Sequence, residues 1–354
     1  MSSLGFSLPI IYLLVSSLCF LSGGLWMSLP GLFLLIGSVI FDATLPFDKA
    51  SHDKGSKTLL NILLYSTLPG VYLAIVCFNI EMAKSSHSIS VIETIGAYFS
   101  IGLLIASTAT TVAHELVHRV GNPWAVRAGR WLLAPTLDTS FAIEHVYGHH
   151  ANVATRVDPA SARYGETVYM FFLRSTFGGV RSAWHIETQR LAKRGGKSAW
   201  SFSNRVLSGQ LMSLCVLALF VAIQGPVGAL SFLAVAVVGK FYLEAINYVE
   251  HYGLVREIGK PVEPRHSWNC MHRFSTRFLF NLTRHSHHHA KGYLPYWKLQ
   301  SQESAPNFPH GYMLMLVLSM FPPVFKRCMA PHLEHWVNHL ATEAERTLVL
   351  QRAV

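Results

Sequence analysis

The chain has 354 residues, of which 51% are hydrophobic and only 14% charged, and its mean hydropathy is +0.32. That balance excludes an ordinary pair of soluble domains and predicts a membrane protein. The net charge of +10 comes with no RNP motif, zinc-finger spacing or helix-turn-helix pattern, so nucleic acid is not an expected partner.

In chain order, Met1 to Phe41 carries no Asp, Glu, Lys or Arg. A secretory signal would open with a basic stretch, so this start is expected to be retained as two short spans, about 8–21 and 25–41. They are separated at Gly23-Gly24 and broken at Pro30. Residues 58–80 form a third span, kinked at Pro69-Gly70, and 94–113 a fourth. The uncharged run 206–239 is too long for one helix, and "QGPVG" at 224–228 divides it into a hairpin, with the sixth span at 227–248. The expected fold is an all-α polytopic membrane protein of about six transmembrane helices with a histidine-rich helical cap. It is read as one domain over 1–354, with a bundle of 8–113 and 206–248 and a catalytic cap of 114–205 and 249–354.

Loop charge sets the orientation. Lys49, Lys54 and Lys57 lie between spans two and three, and the segment from His114 to Arg205 holds twelve Lys and Arg against six acidic residues. The turns at 81–92 and 224–227 hold at most one lysine. By the positive-inside rule both termini and the cap are cytoplasmic, in a bacterial inner membrane. Five cysteines, Cys19, Cys77, Cys215, Cys270 and Cys328, form no CxxC pair. The chain therefore encodes neither a disulfide framework nor its own rubredoxin-like site, and any electron carrier must be a separate protein.

Four stretches carry the histidines that matter: "AHELVHR" with His114 and His118, "EHVYGHH" with His145, His149 and His150, "NYVEHYGL" with His251, and "NLTRHSHHHAKGY" with His285, His288 and His289. In the last, positions i, i+3 and i+4 share a helical face and His287 points away. HExxH alone reads as a zinc-protease signature. One zinc needs three protein ligands, whereas nine imidazoles suffice for two metals; without metal they are costly polar groups beside a bilayer. Imidazole suits zinc, copper, iron and nickel, so ligand type leaves the metal open. His52, His87, His185, His310, His332, His335 and His339 stand alone and are read as structural.

HExxH, EHxxGHH, NYxEHYG and RHSxHH in that order, with "VATRVDPASARYGETVY" (153–169), "RLAKRGGKSAWSFSN" (190–204) and "RHSWN" (265–269), resemble the integral-membrane non-haem di-iron alkane monooxygenases and the related xylene monooxygenase hydroxylase subunits. The likeness runs from the first span to about Pro323. It implies that His114, His118, His145, His149, His150, His251, His285, His288 and His289 hold two irons. O2 is then the cosubstrate, and a rubredoxin or ferredoxin with its reductase supplies electrons. An apolar substrate enters from membrane lipid and is hydroxylated at a terminal methyl. Glu115, Glu144, Asp158 and Glu250 either orient imidazole N–H groups or pair with a neighbouring arginine. His266 and His272 are lesser candidates for extra ligands. Lys240 and Glu244 share a face with His251, as an interfacial snorkelling pair or a substrate gate. The chain is shorter than typical alkane hydroxylases and has His287 where Asp is usual, which bears on substrate more than on metal.

Two alternatives share the fold: a fatty-acid decarboxylase forming a terminal alkene, and a fatty-acyl desaturase. The decarboxylase requires a carboxylate-binding cation in the pocket, for which Arg119, Arg156, Arg163 and Arg284 are the nearby candidates. A histidine-rich metal transporter is disfavoured by spans that are almost free of charge.

Overall fold

The computed structural model describes residues 3–85, 89–302 and 304–352, so His87 lies outside the described residues. Every regular element among them is helical, with only two isolated bridges, Phe47 to His272 and Asn269 to Asn307. Four helices long and apolar enough to cross a bilayer come first: α1 (Ser3–Ser22), α2 (Gly24–Thr44), α3 (Lys57–Lys84) and α4 (Val91–Val117). Three helices outside the bundle follow, α5 (Pro123–Leu133), α6 (141–152) and α7 (Val168–Lys193). Spans α8 (Arg205–Gln224) and α9 (Val227–His251) complete the six.

The turn from α1 to α2 is made by Gly23 and Gly24 at φ +71° and +55°, a conformation that costs glycine nothing. A Cβ at Gly23 would also meet Glu81 Oε1 at 2.6 Å. Pro30 does not break the second span. It falls in the first α-helical turn after a 3-10 stretch over Gly24–Ser28, where a missing N–H costs little. α3 likewise stays helical through Pro69. α4 starts on a capping box in which Ser90 Oγ accepts from Glu93 N–H and Glu93 accepts from Ser90 N–H.

α4 is the axis of the bundle: 78% of its most apolar stretch is buried, against 28–39% for α1, α2, α3 and α8. It packs closely on α9 where two glycines meet. A Cβ on Gly102 would stand 3.4 Å from the Gly239 nitrogen, and one on Gly239 would stand 3.7 Å from the Gly102 carbonyl oxygen. Small residues allow two membrane helices this approach. His114 lies twelve residues beyond Gly102 and His251 twelve beyond Gly239, so each helix climbs about 18 Å from the contact before presenting its histidine. The glycine crossing therefore sets both histidines at one level.

The C-terminal third folds over that level as α10 (Arg273–Phe278), α11 (His285–Ala290), α12 (Tyr312–Ser319), α13 (Pro322–His335) and α14 (Glu343–Arg352). Polar clamps tie it down. Asp48, in the loop after α2, accepts from Arg277 at 2.6 Å and faces His52 Nε2 at 3.1 Å. The buried Arg284 donates to the carbonyls of Ala50 (2.7 Å) and Leu299 (2.6 Å). Glu345 holds His266 at 2.8 Å and Arg265 at 3.0 Å. His266 is thus a clamp, and His272, 3.3 Å from Cys270 Sγ, is likewise outside the histidine cluster.

Lys240 and Glu244 do share a helical face, but the pair is buried in a three-residue ion cluster and does not snorkel. Lys240 is only 13% exposed and reaches Asp138 at 2.6 Å as well as Glu244 at 2.5 Å. Asp138 follows Leu137, a left-handed residue at φ +56°. The triad pins the turn that launches α6 to the wall of α9. A cation this buried persists only because two carboxylates face it.

Candidate metal centre

The nine histidines converge and divide. His114, His118, His145, His150 and His288 form one group and His149, His251, His285 and His289 another, with the ligand atoms in each group within 4.8 Å of one another. Local geometry makes the division. On α4, His114 and His118 are four apart and join the same group. On α6 the turn His145–His149 is a π-turn, which brings residues five apart into register. His145 Nε2 therefore stands 3.2 Å from His150 Nε2, while His149 turns to the other group, with its Nε2 3.3 Å from His289 Nε2. On α11, His285 and His289 are one turn apart with Nε2 atoms at 2.9 Å, and His288 reaches His150 at 3.0 Å.

α11 is held for this task. Phe280 and Asn281 both adopt φ > 0, a strained pair for non-glycine residues that bends the chain into the histidine turn. Asn269 then locks the turn with two bonds: its Nδ2 donates to Ser286 Oγ at 2.7 Å and its Oδ1 accepts from Ser286 N–H at 2.9 Å. His287 faces outward, where its Nδ1 accepts from Gln300 N–H at 2.9 Å.

The donor set fits a pair of metal ions. A neutral imidazole Nε2 offers one proton or one lone pair, yet His285 Nε2 faces His251 Nε2 at 3.2 Å, His289 Nε2 at 2.9 Å and Glu250 Oε2 at 3.2 Å. Those contacts cannot all be satisfied by hydrogen bonds, and His114 Nε2 and His118 Nε2 are buried with no partner. A cation at each convergence answers both facts. Burial, followed by the neighbouring imidazoles, holds His145, His150, His285, His288 and His289 well below the ordinary histidine range. They are neutral at neutral pH, the form a metal requires.

The four carboxylates differ. Asp158 Oδ2 accepts from His149 Nδ1 at 2.8 Å, which fixes the proton on Nδ1 and leaves the Nε2 lone pair pointing inward. Ser161 Oγ (2.6 Å) and Ala160 N–H (3.0 Å) hold that carboxylate in turn. Against the burial penalty, His149 and these two bonds keep Asp158 below the usual carboxylate range. Glu250 lies against His285, and Tyr312 donates to its other oxygen at 2.5 Å. Glu115 pairs instead with Arg119, at 2.8 Å. Glu144 has a buried oxygen without a partner and lines a small polar cavity with Asp138, Lys240, Glu244 and His145. Burial and the nearby carboxylates of Asp158, Glu244 and Asp138 push its pKa well up.

On the bilayer side of the histidines is a narrow apolar cavity of about 30 Å³, walled by Ala106 and Ser107 of α4, Ile246 of α9, Phe274 and Phe278 of α10, and Tyr312. Tyr312 thus joins the cavity wall to Glu250, a role with no signal in its sequence neighbourhood. A second apolar cavity of about 300 Å³ lies between α1 and α2 and shares Phe274 and Phe278 with the first. Arg119, Arg156, Arg163 and Arg284 line neither of them.

Comparison with known proteins agrees with this geometry. The fatty acid desaturase family matches residues 93–319. The alkane 1-monooxygenase of Acinetobacter baylyi is 38% identical over 287 residues, 78% of this chain and 68% of that protein, and that of Pseudomonas putida 35% over 285 residues, 78% and 69%. The xylene/toluene monooxygenase hydroxylase component of Pseudomonas putida is 31% identical over 336 residues, 94% of this chain and 89% of its own. The chain belongs to the fatty acid desaturase family, in the group formed by the alkane 1-monooxygenases and the xylene/toluene monooxygenase hydroxylase component.

Proposed function

We propose that the protein is a multi-pass membrane oxidoreductase whose nine histidines hold two irons and which hydroxylates the terminal methyl of an alkane or alkyl side chain. The observation that carries this reading is the split of nine imidazoles into groups of five and four beside an apolar cavity. Two bound irons supply O2 activation, in the balance RH + O2 + 2 e− + 2 H+ → ROH + H2O. The chain supplies ligands, position and dryness. Asp158 sets the tautomer of His149, Tyr312 orients Glu250 at the cavity wall, and the aromatic rings of Phe274, Phe278 and Tyr312 exclude water from the substrate.

The route in is apolar throughout. A hydrocarbon dissolved in the bilayer enters the groove between α1 and α2 and passes Phe274 and Phe278 to the inner cavity. Among the described residues no arginine lines either cavity, which favours hydroxylation over fatty-acid decarboxylation. Bundle and cap act as one domain, with both termini and the centre on the cytoplasmic face of a bacterial inner membrane. Because the five cysteines are free and scattered among the described residues, electrons come from a separate rubredoxin or ferredoxin and its reductase.

Two measurements test the reading. Metal analysis should find about two irons per chain; a reproducible single zinc overturns it. Membranes supplied with a reductant system and fed octane, xylene and lauric acid in parallel should yield a primary or benzylic alcohol, whereas undecene from lauric acid alone selects the decarboxylase.

A further inference from the structure

Asp158, the partner of His149 in the four-imidazole group, lines a cleft of about 710 Å³ between the loop after α6 and the middle of α7. Its walls include Arg156, Arg163, Arg174 and Arg181, and Asp158 lies on its floor. Arg174 is neutralised by Glu166 at 2.7 Å. Arg156, Arg163 and Arg181 are exposed and make no ion pair among the described residues. Val157 in the lining and Tyr164, next to Arg163 in the chain, are 56% and 54% exposed and add a small apolar patch. Floor and centre are joined by one hydrogen bond, from His149 to Asp158.

We propose that an acidic one-electron carrier docks in this arginine cleft and passes its electron through Asp158 and His149 to the four-imidazole group. The proposal rests on the oxygenase reading above. One turnover consumes two electrons, so a reduced carrier docks, is oxidised by one electron and leaves, twice per cycle; the protons come from solvent. Three unpaired cations around a small apolar patch suit a brief, steered encounter with a protein of opposite charge.

The more obvious basic feature, the tip of α7 with Lys193, Arg194 and Lys197, is the weaker candidate. Lys193 lies twelve residues beyond Arg181, about 18 Å farther along the helix, and electron transfer slows steeply with distance. Arg190 there is also held by Glu187 at 2.8 Å. A basic tip at the membrane edge suits lipid headgroups and topology.

The test uses the full-length protein in nanodiscs and a purified rubredoxin carrying zinc in place of iron, so that docking is measured apart from turnover. Arg156→Glu with Arg181→Glu should weaken binding at low salt by about tenfold or more and flatten its salt dependence. Lys193→Glu with Arg194→Glu and Lys197→Glu should change binding by less than about threefold. Iron content and melting temperature like those of the parent certify that each variant is folded. The proposal is overturned if the tip variant loses binding and the cleft variant keeps it, if neither loses it, or if the cleft variant loses only co-purifying anionic lipid. Failure of the oxygenase reading looks different: chemically reduced parent protein, without any carrier, forms no alcohol from octane or xylene and O2.

Discussion

The five-imidazole and four-imidazole groups share helices α6 and α11 yet sit in different surroundings. In the larger group His118 and His150 are partly exposed, whereas all four histidines of the smaller are buried. Among the described residues, only the smaller one has carboxylates in contact, Asp158 on His149 and Glu250 on His285. Neutral imidazoles do not offset the charge of a buried cation, so the enclosed group needs anions beside it, while the group nearer water is screened by solvent. The two halves of one centre solve one electrostatic problem in two ways, and they should respond differently to the same perturbation.

Ligand removal gives the largest effect. His289→Ala leaves three imidazoles in the enclosed group, so one iron per chain and all hydroxylation should be lost. His288→Ala leaves four in the larger group; metal and activity should fall too, with more residual iron. Iron counts and alcohol yield on the two purified variants check this, and equal iron loss would show that the groups do not act as separate sites.

Acid comes next. His145, His150, His285, His288 and His289 are held below their unfolded pKa of about 6.5. The folded protein therefore binds fewer protons than the unfolded chain, and stability is full above about pH 6.5 and falls progressively as pH drops below it. Bound metal competes with the same protons, so iron should leave over this window. Iron retention after incubation from pH 7.5 to 5.0 is the measurement; retention unchanged at pH 5.0 would contradict proton competition at these histidines.

Substituting the carboxylates separates the halves more finely. Asp158→Asn removes the charge that orients His149 and should weaken iron binding by about 10- to 100-fold. Glu115→Gln disturbs only a partly buried ion pair with Arg119 and should leave iron content unchanged. Chelator titration of both variants decides whether the anion belongs to the enclosed group alone.

Much of this arrangement was legible in the sequence. Six spans follow from uncharged windows long enough to cross a bilayer, and the four histidine stretches follow from residue type and spacing. What was not legible depends on backbone detail or distant partners. Helical spacing treats His145 and His149 as a pair, but the π-turn gives His145 to His150 and sends His149 across. Pro30 read as a break because its place in a first helical turn is not visible in composition. Lys240 read as a snorkel because Asp138, its second anion, is 102 residues away. Tyr312 carries no motif; only the fold brings it to Glu250.

The smallest effect belongs to His287, and it is the sharpest test of register. In the run from His285 to His289 it is as buried as its neighbours, at 5% exposure, so burial alone would group it with the ligands. Its direction differs: Nδ1 accepts from Gln300 N–H across the turn, and it belongs to neither histidine group. His287→Ala should leave about two irons per chain and most activity in place, at a stability cost of about 1 kcal/mol for the lost bond to a backbone donor. Urea unfolding with iron analysis on the same sample separates these outcomes. Iron loss like that of His288→Ala would mean that α11 is rotated by one residue. The partition into five and four would then have to be redrawn.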